Sequence, residues 1–515
     1  MDWTLGAREE PRYWLTRFLV LRLLGLVYLV AFLCLAEQLL PLLGSRGLLP
    51  IPLFLRHVAE RAGSSSAGFR QVPSLFWLDD SDRFLQAAAW TGVGLSIPVL
   101  LGFANGLLMA ALWALYMSFV HVGQAWYAFG WEIQLLETGF LAIFLCPPLD
   151  PRPFPRRPPP REIIWLLRWL TFRIMLGAGL IKLRGDPCWR QLTCLFYHYE
   201  TQPIPNPLSR TLHFMPAWFH RAGVLFNHLT ELVAPWFVFG PRPARLAAGL
   251  VMTAFQLFLI ASGNLSFLNW LTLVPILACF DDAFLARLLP ARLVRASARA
   301  AEAGVPVRAQ RLVAGAVLAL VAVLSVAPVR NLLSGRQVMN TSFDRLDLVN
   351  TYGAFGSVGR ERDEIVLEGT DDPVPGDEAD WRPYEFKCKP GDPMRRPCVI
   401  SPYHYRLDWL MWFAAMSRPE AYPWSLHLVW KLLHADPGVL GLLATDPFHG
   451  TPPRFVRATL YRYRFAPPDD PSGAWWTRER IGTWLPPLSA EDGRLRRFLE
   501  SYGWSVDDER AASPR

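Results

Sequence analysis

The hydrophobic positions of this chain fall in long runs rather than in narrow amphipathic stripes. Windows of roughly 18–20 apolar residues recur through the first two thirds of the sequence, each long enough for a membrane span. Nine such segments are read, at 14–42, 84–102, 106–126, 132–149, 162–183, 223–240, 244–262, 266–281 and 311–330. A tight Gly102–Gly106 turn joins the second to the third; for the fourth and eighth a re-entrant or interfacial placement, and so a lower count, stays open. The first run, Phe18 to Leu43, contains Arg22 and no small-residue cleavage site follows it, so it reads as an uncleaved signal-anchor.

Beyond about Arg336 the pattern changes to short elements separated by turn residues. RDEIVLEGT (362–370) and WRPYEFKCKP (381–390) predict strands bounded by Gly, Pro and Asp. In LYRYRF (460–465) Tyr461, Tyr463 and Phe465 fall on one face and Arg462 and Arg464 on the other, the period of a half-buried strand. RLDWLMWFAAM (406–416) and WSLHLVWKLLHAD (424–436) have helical spacing, and DPGVLGLLATDPF holds a short helix between two Asp-Pro breaks. The expected domains are therefore 1–334, a multi-span membrane part, and 335–515, an α+β, β-rich part, with a small sandwich carrying inserted helices as one arrangement.

Charge decides which way the spans run. The formal net charge is +8, carried by 48 Arg and only 4 Lys. That excess would suit a nucleic acid or an anionic surface, but the arginines cluster in short loops beside apolar runs, where they act as topology signals. The N-terminus carries Arg8, Arg12 and Arg17; PRPFPRRPPPRE follows the fourth span, GPRPAR the sixth, and Arg287, Arg292, Arg295, Arg299 and Arg308 the eighth. Alternating spans put all four groups on one side, so the N-terminus is expected in the cytosol and everything after Val329 on the outer, lumenal side. The sequons Asn264-Leu-Ser and Asn340-Thr-Ser then both face outward. Asn264 sits in a very short loop, which makes Asn340 the better acceptor. The fold class expected is a polytopic α-helical membrane protein with a C-terminal lumenal α+β domain.

The same sidedness sorts the cysteines. Cys34, Cys146 and Cys279 lie in or at the ends of spans and read as small buried hydrophobes. Cys188, Cys194, Cys388 and Cys398 lie on the oxidising face, which suggests disulfides. Pairing 188 with 194 and 388 with 398 is the local solution, and a cross-link between the two regions stays open. Neither spacing is the C-x-x-C of thioredoxin-like redox motifs.

Ionisable residues inside spans cost ~2.5–3.5 kcal/mol each at the bilayer centre and need partners. Arg173 falls near the middle of the fifth segment, so an Arg173–Glu231 or an Arg173–Glu137 pair is expected to fix helix packing. Lys182, at that segment's outer end, is expected to snorkel to the interface without a partner. His121, His228 and Glu231 are candidates for a polar pocket between helices, against the plainer reading of each as a packing contact. No catalytic motif, P-loop, Gly-rich nucleotide turn or ligand-spaced Cys/His cluster is found. The many tryptophans of the C-terminal part are core material or a partner surface.

Several stretches carry a resemblance. LLMAALWALYMSFVHVGQAWYAFGWEIQLLETGFLAIFLCP (107–147), FRIMLGAGLIKLRGDPCWRQLTC (172–194), HYETQPIPNP (198–207), SGNLSFLNWLTLVPILACFDD (262–282), VNTYGAFGS (349–357), the segment 384–415 and RERIGTWLPPLS (478–489) resemble the vertebrate lipase maturation factor family over nearly the whole chain. The resemblance implies an endoplasmic-reticulum membrane protein with a lumenal C-terminal domain. It would be a non-enzymatic factor for the folding, homodimer assembly and secretion of lipoprotein, hepatic and endothelial lipase, with no cofactor, no nucleic acid and no catalytic residue to carry over. Other chaperones of the compartment are open as partners. A client would meet the segment from Lys387 to Trp412, whose Arg395, Arg396, Tyr403, Tyr405, Arg406 and Trp409 mix charge with aromatic surface. Two alternatives stand beside this. GLIKLRGDPCW is also distantly similar to vitamin-K-dependent carboxylase-type membrane proteins, which would make Lys182 a base with His228 and Glu231 near it; and the outer cysteines would suit a lumenal thiol-redox factor. A transporter fits least, since ionisable residues are few and no inverted repeat is evident.

Overall fold

The structure, a computed structural model, describes residues 11–504. Arg8 lies outside the described residues.

Each of the nine apolar segments forms a helix. They are α1 (Trp14–Leu43), α2 (Asp82–Leu101), α3 (Gly106–Val122), α4 (Gly130–Leu145), α5 (Arg161–Arg184), α6 (Ala217–Phe239), α7 (Arg242–Ser262), α8 (Leu268–Cys279) and α9 (Arg308–Leu333). Six of them are long and apolar enough to cross a membrane: α1, α2, α5, α6, α7 and α9. The expectation of nine spans is corrected to that extent. At 1.5 Å per residue a ~30 Å hydrocarbon layer takes about 20 residues. Helices α3 and α4 have 17 and 16, and α8 tightens into a final narrow turn after Pro275. Helix α4 is moreover wrapped by protein, for Glu132, Gln134, Glu137 and Thr138 are all buried.

The chain still reverses at every one of these helices, and the contacts of the connecting loops show it. At one end of the bundle Arg17 donates to the carbonyl of Arg157, Ala104 N–H to that of Pro151, and Val305 N–H to that of Arg156. Asp282 caps the first turn of α1 by accepting from Trp14 and Leu15 N–H at 2.9 and 2.8 Å, groups that a helix start leaves unpaired. Its neighbour Asp281 takes Arg242 and Arg245. The arginine-bearing loops thus meet at one end. Close helix crossing is visible at Gly25, where a Cβ would stand 2.6 Å from the Leu100 nitrogen.

The C-terminal region sits at the opposite end. A two-stranded ladder of β1 (Thr341–Ser342) and β2 (Asn350–Thr351) leads into an antiparallel sheet of β3 (Arg362–Thr370), β4 (Arg382–Phe386), β5 (Leu443–Thr445), β6 (Phe455–Phe465) and β7 (Trp476–Leu488), in the order β5-β4-β3-β6-β7. Among the described residues there is one such sheet, so the sandwich arrangement is not found. Helices α10 (Arg406–Ala415) and α11 (Trp424–Leu433) pack against β3 and β6, so they take the place a second sheet would fill. Tyr463 and Phe465 are buried and Arg464 exposed, as the alternation in β6 requires. Strand β7 carries no such alternation. Its Arg478, Glu479 and Arg480 face solvent on the sheet edge, where charge discourages pairing with another chain.

Arg406, the first residue of α10, welds this region to the bundle. Its guanidinium donates to Glu132 of α4 at 2.8 Å and to the carbonyl of Trp126, and lies over the Tyr127 ring. Tyr116 and Trp131 donate to the same carboxylate. One helix away, Gln38 of α1 accepts from Arg406 N–H and donates to the His404 carbonyl. Arg406 is 1% exposed and Trp409 4%. Neither offers a surface to a client, and both are withdrawn from the contact segment.

Removing one partner of a buried ion pair strands the other charge, at a cost of about 3–5 kcal/mol. Arg406→Met should lower the melting point of the detergent-solubilised chain strongly, and Arg406→Met with Glu132→Leu should recover much of the loss. Equal melting of wild type and single variant would refute the weld.

Candidate functional site

Between the bundle and the sheet region lies a cavity of about 880 Å³, within the roughly 300–1,000 Å³ of small-molecule sites. Helices α4 to α8 supply its walls, α10 contributes Trp409, Trp412 and Phe413, Met416 follows just beyond it, and the loop 352–359 closes another side. Its mouth is marked by lining residues that stay open: Trp218 is 68% exposed, Met416 56% and Met339 44%.

The charged feature of this cavity is Lys182. Snorkelling was the expectation, and the structure corrects it: the ammonium is buried and donates to Glu231 at 2.6 and 2.7 Å and to Asn227 Oδ1 at 2.9 Å. Three donors meet three acceptors. Asn227 Nδ2 in turn donates to Glu231. Glu231 projects from a widened turn of α6, Leu229–Val233, just before Pro235, an irregularity that aims it inward. Lys182 cannot reach the interface because the loop 186–194 covers it. Trp189 stacks 4.9 Å from the ammonium, its indole donates to the Phe355 carbonyl, and the Cys188–Cys194 bond, with Cα atoms 4.8 Å apart, ties the loop's ends.

Arg173 takes the other carboxylate. It pairs with Glu137 of α4 and not with Glu231, which Lys182 occupies. The pair is not confined to two helices. The Asn350 carbonyl accepts from Arg173 at 2.7 Å, and Glu137 accepts from Asn350 N–H and Tyr352 Oη at 3.0 and 2.7 Å. Strand β2 is therefore held among the helices by their buried charges. Sequence reasoning missed Asn350, Tyr352 and Asn227; the first two lie in the quoted VNTYGAFGS, where a polar run just beyond the last span was the available signal.

The proposed His121, His228 and Glu231 pocket does not assemble. His121 faces the Pro73 carbonyl and Asp347, whereas His228 bonds the Trp189 carbonyl at 3.0 Å. The histidine that does line the cavity is His198. Burial, and then the Lys182 charge, push its pKa down to about 4, so it is neutral at physiological pH.

The remaining candidates scatter. Cys388 and Cys398 are bonded, Cα atoms 5.7 Å apart, beside the turn after β4. Cys34, Cys146 and Cys279 are free and buried. Asn264, 1% exposed, spends its amide on the carbonyls of Pro205 and Cys398 and its oxygen on Ile400 and Ser401 N–H, which leaves no free amide at the surface of the folded chain. Asn340 is half-buried, its oxygen accepting from Gly353 N–H. Arg396 is exposed; Lys387, Arg395, Tyr403, Tyr405 and Trp412 are half-buried. Among the described residues no group of three or more His, Cys, Asp or Glu converges to hold a metal ion.

Comparison with known proteins adds to this geometry. The family profile of the lipase maturation factor transmembrane domain matches residues 15–287, and that of the lipase maturation factor C-terminal domain matches 348–486. Lipase maturation factor 1 of Homo sapiens is 51% identical over 519 residues, 96% of this chain and 91% of the human one. That of Mus musculus is 50% identical over 523 residues, 96% and 90% of the two chains. Human lipase maturation factor 2 is 31% identical over 610 residues, 95% and 85%. No solved structure matches.

A buried neutral histidine binds fewer protons folded than unfolded, so it withdraws stability as pH falls. For His198 the loss should begin near pH 6.5 and run to about pH 4, at about 1.4 kcal/mol per pH unit. In His198→Phe the melting curves should fall less steeply with acid over that window; an unchanged slope would contradict a buried neutral ring.

Proposed function

This chain belongs to the lipase maturation factor family, and from that premise we propose that it is an endoplasmic-reticulum membrane factor required for secreted lipases to fold, pair as homodimers and leave the cell active. Lipoprotein, hepatic and endothelial lipase are the clients. The observation that carries this reading is identity of about half the residues with lipase maturation factor 1, spread over both the bundle and the sheet region.

The arginine-bearing loops sit at the cytosolic end and the sheet region projects into the lumen. Support comes from their positions at opposite ends of the helices. A factor of this kind needs affinity for incompletely buried apolar patches and little for the finished dimer. On the corrected contact segment Met394 and Val399 are 55% and 73% exposed beside Arg396, a suitable mixture. Its action is non-enzymatic: every donor of Lys182 already has an acceptor, which leaves an ion-paired ammonium rather than a base. Cys188 and Cys194 are fully buried, which favours a staple over disulfide exchange.

In cells lacking their own maturation factor, this chain should restore secreted lipase activity without changing lipase synthesis. The triple variant Met394→Asp, Arg396→Glu, Val399→Asp should lose most of that rescue; full rescue would reject the contact segment. Lys182→Met with Glu231→Leu removes both charges together and should keep the rescue, whereas its loss in a variant that melts normally would favour the enzyme reading. Synthesis into microsomes should add one glycan, abolished by Asn340→Gln and untouched by Asn264→Gln. No glycan at Asn340, together with protease digestion of the sheet region from outside, would overturn the sidedness.

A further inference from the structure

The cavity holds more polar chemistry than packing explains. Lys182 and Glu231 are the formally charged side chains of its lining among the described residues, and they neutralise each other. What remains unpaired is uncharged. Gln134 donates through Nε2 to Thr272, and Asn269 donates through Nδ2 to Gln256, yet neither side-chain oxygen accepts a bond among the described residues. Neither ring nitrogen of His198 has a hydrogen-bond partner there. All three side chains line the cavity and are at least nine-tenths buried. None of these atoms is sealed in packing; each opens onto the cavity, where a bound polar group could pair with it.

The rest of the lining is hydrocarbon. Trp218, Phe226, Phe255, Phe258 and Leu259 from α6 and α7 run from the interior to the mouth. Trp218 and Phe258 are exposed near the ends of two helices that are long and apolar enough to span, on the side where Met339 and Met416 also open, so the opening lies where the apolar stretch of the bundle gives way to the sheet region. A ligand suited to this space has an apolar chain toward the bilayer and a small head that both donates and accepts hydrogen bonds. A charged head is disfavoured, because no unpaired counter-charge waits for it and its desolvation would go uncompensated.

We infer that the cavity binds one uncharged hydroxyl-bearing acylglycerol from the membrane, its hydroxyl head against Gln134, Asn269 and His198 and its acyl chains between α6 and α7. The neutral state of His198 at physiological pH agrees with this, since a neutral imidazole both donates and accepts. The volume, about 880 Å³, equals that of roughly 30 waters at ~30 Å³ each, room for the head and much of the chains.

The full chain in nanodiscs, with a photoreactive, clickable diacylglycerol as probe, tests this without any lipase, so the outcome is separate from the maturation reading. Labelling should saturate, be competed by unlabelled diacylglycerol, and map to peptides of α6 and α7. A phosphatidic acid probe with the same chains should label roughly tenfold more weakly. Ala222→Trp at the mouth, where Ala222 is exposed and should tolerate the change, should reduce labelling, as should Ala178→Phe in the interior. His198→Leu should weaken it roughly fivefold with little change in the melting point at neutral pH. Equal labelling by the anionic probe, labels outside the cavity walls, or labelling undisturbed in Ala222→Trp would overturn the assignment.

Discussion

Burying a charge obliges the fold to bring it a partner, and three among the buried cations join the helices to one another and to the region beyond them. Arg173, Lys182 and Arg406 sit where water does not reach, so each must meet a carboxylate and further acceptors to offset its lost hydration. Their partners come from different stretches of chain: Glu137 with Asn350 and Tyr352, Glu231 with Asn227, Glu132 with the Trp126 carbonyl. Satisfying them fixes which helices touch and how the region beyond residue 340 is seated. Such pairs are weak sources of net stability but strong penalties against any other register.

The seam that results explains where the cavity lies. A bundle of α4 to α8 that ended in lipid or water would have no reason to leave a chamber between them. Here α10 and the loop 352–359 roof over the bundle's end, held by Arg406 on one side and β2 on the other. The Trp189 loop covers Lys182 from a third side, kept in place by a disulfide that closes seven residues and by the Phe355 carbonyl. Separate devices, each satisfying its own buried groups, enclose one space. The maturation activity and the lipid site proposed above draw on different faces of this seam, the exposed Met394–Val399 surface and the chamber behind α10.

The short helices carry a related lesson about apolar runs. Hydropathy alone reads α4 as a span, yet its Glu132, Gln134, Glu137 and Thr138 all face protein. A helix surrounded by other helices needs no lipid-length apolar surface, and it can hold the polar groups that pair the seam. The same holds for α8, whose Asn269 and Thr272 serve the cavity. Apolar content marks burial; it does not say whether lipid or protein does the burying.

What the sequence determined by itself is therefore what depends on local pattern. Apolar runs located the nine bundle helices, bounding turn residues located β3 and β4, alternation located the end of β6, and the clustering of arginines anticipated the shared end of the bundle. Local spacing offered Cys188 with Cys194 and Cys388 with Cys398 as one solution, and the structure has those two pairs. Strand β7 escaped because an edge strand that faces solvent has no buried period to read. Only the tertiary structure decided which carboxylate each buried cation takes, that Arg406 and Trp409 are internal, and that Asn264 is sealed. Those outcomes turn on distances between residues tens to hundreds of positions apart, such as Glu132 and Arg406, and a charge in a sequence carries no mark of the partner that will desolvate with it.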